Sequence, residues 1–214
     1  MKAPFTWLAR VSMVLTVLQI QTAVQIAAQD APAPRDFGPA ELAETGQMMV
    51  DGKRMTYLIR RLPVNSFPDL PEPIAAELNR RGCLIPQTYE AHHPENVVRA
   101  RLEQPSSLDW AVLCSSHGTV QLLVFFGSAA AGVPVVLETA QEKDRLQVRV
   151  GRDVMGFNWG IDRATPEQVH EAQSGMEPRP AWSKHDALAD SIIDHKTVYH
   201  FYDKSAWTVL DVPN

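Results

Sequence analysis

Apolar and polar positions alternate most clearly between Asn96 and Phe126. Val98, Ala100 and Leu102 alternate with Arg99, Arg101 and Glu103, the period of a half-exposed strand over Asn96–Glu103. The pattern then changes. In Leu108–Phe126, Trp110, Val112 and Cys114 share one face of a strand while Ala111 and Leu113 share the other. On a second strand, Val120, Leu122, Val124 and Phe126 lie opposite Leu123 and Phe125. Two apolar faces predict a hairpin covered on both sides, in the middle of a sheet. Ser115-Ser116-His117-Gly118 is its turn, with Gly118 free to take positive φ.

The pattern around the hairpin predicts the remaining elements. Asp51-Gly52 between apolar stretches predicts that Met48–Val50 pairs with Met55–Ile59, a helix being the rival. Ala40–Thr45 has the length of one helical turn. Asp69 caps a predicted helix over Pro71–Arg81, with Glu72 as its reciprocal partner. Ile74 and Leu78 share one face of that helix, Arg80 and Arg81 sit at its C-terminus, and Gly82 supplies the left-handed stop. Strands are expected over Val133–Glu138 and Arg145–Val150, with a loop over Gly151–Ile161. Thr165-Pro166-Glu167-Gln168 is a capping-box helix start. A further helix begins at Ser183-Lys184-His185-Asp186, with Leu188 and Ile192 on one face. Thr197–Tyr202 and Trp207–Val212 close the chain as a hairpin. The expected fold class is α+β: a mostly antiparallel sheet of about six strands, with a few short helices.

Composition adds location. Met1, Lys2 and Arg10 precede an apolar run, Val11–Ile26, and the small pair Ala27-Ala28, the layout of a secretory signal peptide over residues 1–28. Residues 29–46 read as a proline-bearing flexible leader and 47–214 as a single domain. The expected location is periplasmic or secreted, with membrane contact only through the signal peptide. Cleavage removes Lys2 and Arg10, taking 20 basic residues to 18 against 25 acidic, so the net charge goes from −5 to −7. That balance argues against nucleic-acid binding. In an oxidising compartment Cys83 and Cys114 are expected to pair, two buried free thiols being the alternative.

Candidate chemistry is sparse. Ser116-His117 with Asp109 contains nucleophile, base and orienting types, but a solvated turn fixes no such geometry and no G-x-S-x-G elbow is present. His92-His93 with Glu95 lacks any H-E-x-x-H or C-x-x-C frame, so no metal, cofactor or catalytic residue is assigned. Asp190 and Asp194 read as one turn of a solvated helix face. Trp159, in N-W-G, and Trp182, after Arg179-Pro180, are aromatics on expected loops, positions from which a partner is often anchored. The candidate binding residues are therefore Trp159, Trp182, His92 and His93.

R-G-C-L-I-P-Q (Arg81–Gln87) and D-W-A-V-L-C-S (Asp109–Ser115) resemble motifs in a group of exported bacterial proteins of unknown function. R-A-R-L…L-D-W-A-V-L…H-G-T-V-Q-L-L-V is similar to one hairpin of an FG-GAP/VCBS-type blade. The calcium ligands of that family are missing here, and no repeat builds a propeller. The functional expectation is a non-enzymatic exported module that binds a protein or envelope component, its oligomeric state left open. The alternative is a hydrolase that uses His92 or His93 with acidic residues.

Overall fold

The computed structural model describes residues 37–127, 132–149, 153–210 and 212. The expected signal peptide and the first part of the leader lie outside the described residues, as does most of the Gly127–Gly132 connection.

The α+β expectation of about six strands is corrected. The described residues form thirteen strands and two α-helices, and the protein is mostly β. In chain order the strands are β1 Leu42–Val50, β2 Lys53–Pro63, β3 Leu84–Gln87, β4 Val97–Ala100, β5 Asp109–Ser116, β6 Thr119–Phe125 and β7 Val135–Gln141. They continue with β8 Leu146–Val148, β9 Val154–Phe157, β10 Trp159–Ala164, β11 Ala187–Ile192, β12 Lys196–Asp203 and β13 Ala206–Leu210. Helix α1 is Glu72–Arg80 and α2 is Pro166–Ala172. The first nine strands form one mixed sheet, in the order β7-β6-β5-β3-β2-β9-β8, with β1 paired to β2 and β4 to β5. The last four form a second antiparallel sheet, β10-β11-β12-β13.

The central hairpin behaves as its pattern requires. Trp110, Val112, Cys114, Leu123 and Phe125 pack against Ile74 and Leu78 of α1. Ala111, Leu113, Val120, Leu122 and Val124 face the other way, onto Trp159, Ile161 and Leu188 of the second sheet. Both faces are covered, so both carry apolar residues. The turn is tighter than expected: His117 (φ 52°) and Gly118 (φ 78°) are its two left-handed central residues. Cys83 and Cys114 are bonded. The bridge fastens the end of α1 to β5, and closing a loop of 31 residues constrains the unfolded chain by about 3.5 kcal/mol.

The second sheet carries α2 on its outer face, through Val169 against Ala164, Ala187 and Ala189. The layers therefore run α1, first sheet, second sheet, α2. No described helix is long and apolar enough to cross a membrane.

Four local expectations are corrected. The proposed helical turn at Ala40–Thr45 is mostly strand, because β1 starts at Leu42 and pairs with β2 in unbroken register from Leu42 opposite Arg61 to Val50 opposite Lys53. Asp69 does not cap α1, whose N-cap is Pro71 without a side-chain bond. The Gly151–Ile161 loop contains β9 and the start of β10. The helix expected from Ser183 is instead β11, and Asp190 is a buried strand residue, not part of a solvated helix face.

Candidate functional site

Helix α2 forms where the capping box places it. Thr165 Oγ1 accepts from the Gln168 amide (3.3 Å), and the Gln168 side chain accepts from the Thr165 amide (2.8 Å). Beyond α2 the chain turns through residues 173–178, and the Arg179 guanidinium ties it back to the His170 carbonyl. Trp182 stacks on the His170 ring at 4.3 Å and stays 54% exposed. His185 is buried, stacked on Phe201 at 4.4 Å with the rings within 10° of parallel.

These contacts leave a cleft of about 310 Å³. Val169, Phe201 and Leu210 give it an apolar floor, and Trp182, Ser183, Lys184 and the pair Asp203–Lys204 line its sides. Ser183 Oγ and His170 Nδ1 are buried with no hydrogen-bond partner among the described residues. Unpaired buried polar atoms carry a free-energy cost that a ligand group can relieve. An indole face, a hydroxyl and the Lys184 ammonium suit a planar or apolar group with an anionic or acceptor group beside it.

No family model, no curated protein and no solved structure matches this chain. The site's own geometry therefore carries the functional reading.

Of the four candidate binding residues, Trp182 lines this cleft. Trp159 is fully buried on the inner face of the second sheet, where its Nε1 donates to Asp190 Oδ1 at 2.6 Å. It is a core residue, not a loop anchor. His92 and His93 are exposed in the connection between β3 and β4. Ser116 Oγ lies 2.8 Å from His117 Nδ1 at the exposed turn. Asp109 cannot orient that histidine. It lies at the far end of β5 and is occupied by the amides of Leu102, Glu103 and Gly127 at 2.7–2.9 Å.

A second cavity, about 300 Å³, joins the two segments Thr88–Asn96 and Gly160–Asp162. Glu90, Glu95 and Asp162 line it, and Glu95 Oε2 accepts from Thr88 Oγ1 at 2.8 Å. Burial pushes the Glu95 carboxyl above its ordinary value, and the charge of Asp162 adds to the effect. A raised carboxyl contributes stability that is present below its unfolded value and is lost as pH rises through the folded one. Glu95→Gln keeps the acceptor for Thr88 and does not titrate. The variant should therefore gain stability over the parent as pH rises from about 4 to 7, read as the difference in urea midpoints. A pH-independent difference would contradict this account.

A third group lies between the sheets. Asp190 Oδ2 is 3.1 Å from His200 Nε2, and Glu138 of β7 approaches from the first sheet, paired with Arg145. Burial first, then the neighbouring Asp190, raise the Glu138 carboxyl against the opposing effect of Arg145 and His200. Sequence reasoning missed this group because its members come from three strands and a turn. The one available signal was Asp190, an acidic residue flanked by Leu188 and Ile192 at strand spacing.

Proposed function

We propose that this protein is an exported binding module, periplasmic or secreted, and that the Trp182 cleft takes a protein segment or envelope component with an acidic group next to a planar or apolar one. The exposed Trp182 ring beside the unpaired Ser183 hydroxyl carries this reading. Surface tryptophans dominate interface energetics because a large rigid ring leaves water at little entropic cost. Lys184 and Lys204 line the cleft with one acid, Asp203, which pairs with Lys204 at 3.9 Å, so the lining keeps an excess of one positive charge for an acidic group on the partner. The disulfide and the signal-peptide layout of residues 1–28 support the location.

The test is capture from envelope extract on the immobilised protein, with Trp182→Ala and Lys184→Ala/Lys204→Ala in parallel. Removing Trp182 should cut retention of the partner about tenfold or more, the effect expected of a hot-spot residue. Its thermal midpoint should shift little, because the ring is more than half exposed. Retention that ignores all three substitutions would overturn the reading.

A further inference from the structure

The junction between the sheets contains a set of donors that the cleft does not use. Trp159, Asp190 and His200 stand on adjacent strands, each displaced from the next by two residues of register: Ile161 pairs with Asp190, and Leu188 pairs with His200. They form one diagonal on the inner face of the second sheet. Glu138 reaches the same point from the first sheet. One oxygen from each carboxylate and one imidazole nitrogen lie within 4.8 Å of one another.

We propose that Glu138, Asp190 and His200 bind a divalent transition-metal ion of the Zn²⁺ class, fastening β7 to β11 and β12. The spacing is close. Around a tetrahedral ion with bonds of about 2.0–2.2 Å, neighbouring ligand atoms stand about 3.3–3.6 Å apart. Asp190 Oδ2 and His200 Nε2 are 3.1 Å apart, a few tenths of an ångström inside that spacing, on two paired strands. Glu138 offers a carboxylate oxygen within 4.8 Å of both, and a third of its side chain is open to solvent.

The outer partners fit the same reading. Trp159 Nε1 occupies Asp190 Oδ1, so Oδ2 is the oxygen turned to His200. Arg145 holds Glu138 through Oε1, and the Glu138 carboxyl also lies against Asp190. Metal ligands are commonly oriented by such second contacts. Two carboxylates with one imidazole favour Zn²⁺ and its neighbours over Ca²⁺, which takes six or more oxygens. A third of the Glu138 side chain is open to solvent, the side from which water would supply a fourth ligand.

The probe is the metal alone. The untagged protein, stripped with chelator, is dialysed against Zn²⁺, Co²⁺ or Ca²⁺, and bound metal is counted by mass spectrometry. About one equivalent of Zn²⁺ should bind, with a Co²⁺ visible spectrum showing a nitrogen–oxygen site, and Zn²⁺ should raise the thermal midpoint. Glu138→Gln changes little packing and should weaken Zn²⁺ binding about tenfold or more, as should His200→Ala. A His92→Ala/His93→Ala variant should bind like the parent. Zn²⁺ binding that is absent, that survives Glu138→Gln, or that disappears with His92 and His93 would overturn the proposal and leave the group as a hydrogen-bonded network. None of these outcomes depends on the Trp182 cleft.

Discussion

Replacing Trp159 with alanine should destabilise the protein by at least about 4 kcal/mol. Trp-to-Ala changes in cores cost about 3–5 kcal/mol through lost burial and the cavity left behind. Here the ring is fully buried between the sheets, with the Arg145 guanidinium 4.3 Å from its centre. Its Nε1 also donates to Asp190, a carboxylate nearly buried itself. Losing that donor adds about 1–3 kcal/mol. Trp159→Phe separates the two effects, because it keeps most of the volume and removes only the donor. It should cost about 1–3 kcal/mol. Urea midpoints of the three proteins check this order, and a Trp159→Ala variant as stable as Trp182→Ala would refute the placement.

Asp109→Ala should have the second large effect, about 3 kcal/mol or more, because three backbone amides, that of Leu102 buried and those of Glu103 and Gly127 partly so, lose their acceptor. One carboxylate oxygen holds the amides of Leu102 and Glu103, which end the β4 segment, and is also bonded by the Ser107 hydroxyl. The other holds the amide of Gly127, after β6. Asp109 thus gathers the two chain reversals at one end of the central hairpin. Asp109→Asn keeps one acceptor oxygen and should fall between parent and alanine variant by urea denaturation. A neutral Asp109→Ala would show that the loops close without it.

The first sheet was legible wherever side chains report directly on burial. The hairpin Asp109–Phe125 declared its two covered faces, and Gly82 and the Thr165–Gln168 box marked helix ends with chemistry that acts within a few residues. The second sheet was hidden because its pairings override local signals. Leu188 and Ile192 are four apart, which suits a helix face, yet they lie on one face of β11 with Asp190 between them. A polar residue in that inward position breaks the apolar period, and only the cross-strand partners Trp159 and His200 explain why it is tolerated.

Glycines concealed two further strands. Gly46 lies in β1 because a Cβ there would come within 2.5 Å of the Tyr57 ring on the paired strand. Gly156 lies in β9, where a Cβ would come within 2.4 Å of Tyr89 Cβ. Both are close-approach positions, although glycine in isolation signals a loop. The site was half legible. Trp182 stood out as an aromatic on an irregular segment, with packing over a sheet edge as the alternative to a binding role. The floor beneath it comes from α2, β12 and β13, which no local pattern brings together.

The most direct test of the binding account is hydrogen–deuterium exchange of the protein with and without the fraction captured from envelope extract. The account predicts new protection on both sides of the cleft, in residues 180–186 and 201–204, with no change at the 116–119 turn. Protection confined to that turn or to residues 88–96, with the cleft unchanged, would contradict it.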